Sequence, residues 1–168
     1  MNIILLLSIL IPEWQAREIG PIIGDVSARY KIDPLLVSAV IYRESRFKNN
    51  LCFHGAHGLM QVQLKRKSCD KQGMLRAQYL NLYDDRINIG RGVKLLAFWK
   101  KWCKDSGHSG HHWLLHYNQG FGHCPRGEKK CPARDRTPIT RGKIGGYARR
   151  VLRTYHLLKE SYERSPTS

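Results

Sequence analysis

The residue with the most chemical promise is Glu44, because of where its helix places it. It lies near the end of the stretch PLLVSAVIYRES, which opens at Asp33-Pro34, an Asp cap followed by Pro at the first helical position. At about 100° per residue, Glu44 falls about 20° from Val37 and between Val40 and Ile41, inside the stripe that must face the core. A charge there is unfavourable unless it is paired or neutralised. Pairing with Arg43 or Arg46 would make it a structural salt bridge. A carboxyl walled in by apolar groups instead keeps its proton to higher pH, the state a general acid needs. No other acidic residue occurs between Asp33 and Asp70, and the following Gly55-Ala56-His57-Gly58-Leu59-Met60-Gln61 offers glycines and uncharged polar groups suited to a cleft.

Other reactive side chains form weaker patterns. Five cysteines, at 52, 69, 103, 124 and 131, are many for 168 residues, and an exported protein pairs four of them. Cys124 and Cys131 close a short loop and are the favoured pair, with Cys52, Cys69 and Cys103 competing for a second bridge. A zinc site from Cys124, Cys131, His123 and one of His108, His111 or His112 lacks the CxxC or HxxxH spacing of such sites, so no metal and no cofactor is expected.

The elements that must position Glu44 are mostly helices. A helix is expected near 21–30, then the one after Asp33, then a Gly-punctuated loop over 47–58 and a short turn or strand over 59–63. A long helix spans about 86–104, with Ile89, Val93, Leu96 and Cys103 on one side. HHWLLHYNQG reads as a shorter helix ending at Gly120, and 121–146 as a long basic loop. A last helix carries Tyr147, Val151, Tyr155, Leu158 and Tyr162. With 42% hydrophobic and 25% charged residues the chain can bury a core, and its length suits one domain. The organisation is therefore an apolar segment over 1–16, one mainly α domain over 20–160 and a tail over 161–168. The run IILLLSILI is nine residues against the roughly 20 of a spanning helix. It reads as a signal peptide without a basic n-region, the alternative being an N-terminal core helix.

Several motifs in order carry a resemblance. Glu44-Ser45 followed by GAHGLMQ resembles the ES and GxxGLMQ signature of bacterial lytic transglycosylases of the soluble, lysozyme-like kind. Asn88-Ile89 with Gly92 and Leu96 resembles their NI-x-x-G helix, His116-Tyr117-Asn118-Gln119-Gly120 their AYN-x-G motif, and Tyr147 with Val151 their closing Y-x-x-x-V helix. The resemblance implies a single lysozyme-like helical domain with a saccharide cleft, cutting the β-1,4 bond between N-acetylmuramic acid and N-acetylglucosamine in peptidoglycan. It implies Glu44 as catalytic acid and base, Ser45 holding the end of that helix, and Met60 and Gln61 lining sugar subsites. Tyr117 and Asn118 would face the glutamate, with Tyr147 also at the substrate site. One carboxylate suffices for the route it implies: Glu44 protonates the glycosidic oxygen, then takes the proton of the sugar's 6-hydroxyl, which closes to a 1,6-anhydro end. An aromatic hydroxyl such as Tyr117 would help set the protonation of Glu44.

The chain departs from that pattern in places. Lys143 stands where many members carry a glutamate, Leu64 where a Pro commonly follows LMQ, and His116 replaces a small residue, which would crowd the cleft or add a polar group to it. A hydrolytic goose-type-like lysozyme shares the ES and GLMQ elements but wants a second carboxylate to position water.

Net charge narrows the partners. The formal charge is +16, and residues 126–153 hold ten Lys and Arg against two acids, half of the excess. This excludes an acidic cytosolic enzyme and favours an anionic polymer: peptidoglycan carboxylates, teichoic acids or outer-membrane phosphates. A non-catalytic basic module binding wall polymer or nucleic acid is the alternative of another class. Its basic run would need interleaved aromatics for base stacking, and only Tyr147 is there, so no specific nucleic acid is expected. The expected location is exported, periplasmic or wall-associated, or in a phage virion, with a conjugation, secretion or phage assembly as setting.

Overall fold

The computed structural model describes residues 2–63, 69–105, 113–119 and 144–164. In chain order these form α1 (Ile3–Leu7), α2 (Glu13–Tyr30), α3 (Pro34–Ser45), the two-residue strands β1 (Cys52–Phe53), β2 (Ala56–His57) and β3 (Val62–Gln63), then α4 (Lys71–Tyr79), α5 (Asp85–Asp105), α6 (Trp113–Gln119) and α7 (Ile144–Glu163). The fold is mainly α, as expected. The strands make a small antiparallel sheet in the order β1-β2-β3, with Cys52 opposite His57 and Ala56 opposite Gln63.

α3 is the centre of the domain. Asp33 accepts from the Leu35 N–H at 2.8 Å and Pro34 opens the helix, so the start lies where the cap chemistry puts it. Every residue from Leu35 to Ile41 is buried, against α7 on one side and α2 on another. The helix is thus enclosed nearly all round, and the stripe drawn for it from sequence is only part of its buried surface. Its two buried serines bond inward to the helix, Ser38 to the Pro34 carbonyl at 2.7 Å and Ser45 to that of Ile41 at 3.3 Å, so neither hydroxyl of α3 is left unpaired.

Two helix boundaries differ from the expectation. α2 begins eight residues before Pro21 and carries that proline in its interior. Ala16, Ile19, Ile23 and Val26 recur at steps of three and four and are all buried, so packing of that face outweighs the one backbone bond Pro21 cannot make. Gly145 and Gly146, read as loop, lie in the first turn of α7. α4 was not anticipated; Asp70 caps it through the Gly73 N–H at 2.8 Å. The 47–58 segment, read as loop, contains β1 and β2.

The first five residues of the apolar N-terminal run form α1, with Leu6 and Leu7 buried against neighbouring helices. No helix among the described residues is long and apolar enough to cross a membrane. On α5, Ile89, Val93, Leu96 and Cys103 are buried as the periodicity predicts. Cys52 and Cys69 form a disulfide, while Cys103 stands outside it; Cys124, Cys131, His123, His108, His111, His112 and residues 120–143 lie outside the described residues.

Two glycines on α2 and α5 respond oppositely to an added methyl. A Cβ at Gly92 would come within 2.6 Å of Met60 Cβ, whereas one at Gly24 meets nothing within 4 Å. Gly92→Ala is expected to lower unfolding stability by about 1–3 kcal/mol, and Gly24→Ala to raise it by up to about 1 kcal/mol. Urea denaturation of the two variants checks this.

Candidate active site

Glu44 sits in the last turn of α3, and the chain leaves that helix abruptly. Arg46 and Phe47 both take left-handed backbone conformations, φ 51° and 60°, which end the helix at Ser45. Phe47 is fully buried and its carbonyl accepts from Gln15 Nε2 at 2.8 Å, so burial and a long-range bond hold the turn. Ser45 is buried at the same end, its hydroxyl donating back to the Ile41 carbonyl one turn earlier.

The Gly58–Gln61 turn is held by a residue the sequence reading left out of the site. Asn88 is buried on α5; its Oδ1 accepts from the Met60 N–H, and its Nδ2 donates to the carbonyls of His57 and Leu82, each at 2.8 Å. Gly58, at φ +75°, lies so close that a Cβ would collide with the Leu82 carbonyl and the Asn88 side chain. Both the dihedral and the space therefore require glycine. The signal was present: Asn88, Gly92 and Leu96 recur every four residues on the buried side of α5, and an amide in such a stripe needs partners.

The remaining expected residues take distinct places. Met60 is fully buried against Gly92, so what it presents is its carbonyl, which accepts from the Tyr117 hydroxyl at 2.7 Å. Gln61 takes a left-handed conformation, and its amide donates back to the Leu51 and Gly58 carbonyls at 3.2 and 2.9 Å, bracing the turn. Asn118 is exposed on α6. His116 does not enter a cleft: it is buried, stacked on Trp99 at 5.1 Å between ring centres and edge-on to Trp102 at 5.4 Å. One residue's rotation about the helix sends His116 toward α5 while Tyr117 turns toward Met60.

The phenol that bonds Glu44 is Tyr147, not Tyr117. From the first turns of α7, the Tyr147 hydroxyl donates to Glu44 Oε1. Tyr117, committed to the Met60 carbonyl, is near enough for the Glu44 charge to help push its own ionisation up. Glu44 itself is pushed up to about 6, chiefly because burial disfavours its charge; the Tyr147 hydrogen bond and the Arg43 charge oppose this and lose. Tyr117 and Tyr147 are both held well above the ordinary phenol range, by burial first, so they stay protonated donors.

A carboxyl raised by burial, bonded by a phenol and seated at the end of an enclosed helix makes Glu44 the candidate acid–base group of this mainly α domain. The transglycosylase SLT domain family matches residues 21–139, and the chain belongs to that family, the lysozyme-like lytic transglycosylases that act on peptidoglycan. The match takes in Glu44, Ser45, Met60, Gln61, Tyr117 and Asn118 and ends before Tyr147. Comparison with curated proteins and with solved structures gives no match.

Two outcomes follow from the raised carboxyl. Between pH 4.5 and about 6 the folded protein keeps a proton that the unfolded chain has lost, so Glu44 weakens the fold increasingly as pH rises through that window. Above it the penalty is on the order of 2 kcal/mol. Glu44→Gln, which still accepts from Tyr147, should be more stable than wild type by about that amount at pH ~8 and equal to it at pH ~4, read by urea denaturation at both. Tyr147→Phe removes a bond that favours the charged form, so the Glu44 midpoint should rise above its present value of about 6, read by carboxyl ¹³C titration.

Proposed function

We propose that this protein cleaves the MurNAc-GlcNAc β-1,4 bond of peptidoglycan by transglycosylation, with Glu44 acting as acid and then base. What carries the reading is the carboxyl group of Glu44, pushed up to about 6 by burial and bonded by Tyr147. In its protonated form it donates to the glycosidic oxygen as the bond to the anomeric carbon breaks. The carboxylate left behind takes the proton of the muramoyl 6-hydroxyl, whose oxygen closes onto the anomeric carbon to give a 1,6-anhydro end. The Tyr147 hydroxyl supports the second half by donating to the carboxylate while it is charged. Water plays no part in that balance, and one carboxylate serves both proton transfers. Among the described residues the groups that tune Glu44 are burial, Tyr147 and Arg43, with no second carboxylate among them, which favours this route over water-activating hydrolysis.

The setting is part of the same proposal. A substrate outside the cytoplasmic membrane requires export, or delivery within a phage particle, and the +16 charge suits retention on an anionic wall or outer-membrane polymer. Arg149, Arg150 and Arg153 are exposed on α7, on the same helix as Tyr147. A conjugation or secretion apparatus that opens the wall locally is a setting consistent with one small domain.

Digestion of purified sacculi followed by mass spectrometry tests the reading. Wild-type protein should release 1,6-anhydromuramoyl ends, and Glu44→Gln should lose about 10²- to 10⁴-fold in rate. Products with only reducing ends would replace transglycosylation by hydrolysis, and full activity in the Gln variant would remove Glu44 from its role.

A further inference from the structure

The Cys52–Cys69 bridge has neighbours that a passive crosslink does not need. His57 is fully buried beneath it, with Nε2 3.7 Å from Cys52 Sγ and Nδ1 2.8 Å from the Tyr83 hydroxyl. A disulfide sulfur carries no proton, so the contact at Cys52 is a hydrogen bond only if His57 Nε2 bears the hydrogen. Burial keeps the imidazole neutral by lowering its ionisation, which leaves it a single N–H. Nδ1 is then an acceptor. The Tyr83 hydroxyl also reaches Met74 Sδ at 3.1 Å; because an imidazole nitrogen is a much better acceptor than a thioether, we assign the phenol proton to Nδ1 and the imidazole hydrogen to Nε2. The second sulfur has a donor too, the Gly55 N–H, 3.3 Å from Cys69 Sγ. Each sulfur therefore has an N–H aimed at the charge it would carry as a thiolate. Access separates them: Cys69 is exposed and Cys52 half-buried.

We propose that the Cys52–Cys69 bridge is a thiol-exchange site, at which an external thiolate attacks Cys69 Sγ and Cys52 departs as a thiolate held by the His57 Nε2–H. The attacking thiolate supplies the electron pair of the new S–S bond to Cys69, and the pair of the old bond leaves on Cys52. There the weak N–H···S contact becomes a charge-assisted hydrogen bond. A second thiolate then attacks the outer sulfur of the mixed disulfide and releases Cys69, so two external thiols are oxidised to a disulfide as the protein's cystine is reduced. A leaving thiol of lowered pKa departs faster, which gives the buried histidine its part in the exchange. The class of partner is a small thiol or the dithiol of an oxidoreductase. This inference is independent of the wall-cleaving activity.

Glutathione at limiting amount, with acid quenching and peptide mass spectrometry, reads the attacked sulfur. The adduct is expected on Cys69 over Cys52 by about tenfold or more; an adduct mainly on Cys52, or equally on both, overturns the assignment. Cys69→Ser leaves Cys52 as a thiol beside His57, and the pH profile of its alkylation by iodoacetamide, followed on its own peptide, should have its midpoint below about 8, against roughly 8.5 for an ordinary thiol. A midpoint of about 8 or above overturns the role given to His57. Adding Tyr83→Phe, which unpins the tautomer, should move that midpoint upward; no movement overturns the relay through Tyr83.

Discussion

The structure turns on two tyrosines of α7 that bond the two ends of α3. Tyr155 donates to Asp33 at 2.9 Å, at the helix start, and Tyr147 donates to Glu44 in the last turn. Between these points α3 presents only apolar or internally bonded side chains, from Leu35 to Ile41. Hydrophobic packing drives the two helices together but is non-directional, so directional bonds add to the register that side-chain interdigitation sets. The two bonds at opposite ends select that register, because each carboxyl group meets its phenol in one axial position only. Asp33 serves twice, capping its own helix while accepting from α7. Burial and the bond to Asp33 push the Tyr155 phenol up to about 12, so it remains a donor at any physiological pH.

Beside that register a second layer fixes the Gly58–Gln61 turn, to which Tyr117 is bonded. Asn88 satisfies three backbone groups at once, and this permits the Gly58–Gln61 turn to be buried without unpaired N–H or C=O at those positions. Gly92 then admits Met60 against α5, and the Met60 carbonyl fixes Tyr117. The chain Asn88–Met60–Tyr117 thus joins α5 to α6, Tyr147 joins α7 to Glu44 on α3, and the Glu44 charge reaches Tyr117. A site assembled from four helices is positioned by the packing of the whole core, which limits how far any one of these groups can drift.

The ionisation of Glu44 is a contest decided by burial. Tyr147 and Arg43 both favour the carboxylate, yet desolvation exceeds them and leaves the group near neutrality. A fully exposed carboxyl would be ionised, and a carboxyl with strong cationic partners would be ionised more firmly. The domain reaches the intermediate state by enclosing Glu44 only partly and giving it, among the described residues, a neutral hydrogen-bond donor in place of a salt bridge.

Much of this was legible in the chain. The Asp33-Pro34 start, the α5 periodicity, the ordered motifs and the placement of a carboxylate among apolar residues are local patterns, and local patterns report local geometry directly. The true start of α2 was hidden by Pro21, whose strong local meaning was overridden by burial of the whole helix face. β1 to β3 are two residues each, too short for any alternation to show. The histidine before Tyr117 pointed to a cleft in sequence and stacks on tryptophans in space. By itself the sequence determined the mainly helical class, the family and the single acid at its centre, because those rest on spacing along one chain. Only the tertiary structure decided that Tyr147 rather than Tyr117 bonds that acid, that Asn88 holds the Gly58–Gln61 turn, and that Cys52 pairs with Cys69 beside His57. Each of those joins residues from different elements, and which phenol, amide or sulfur arrives first is set by how the helices pack.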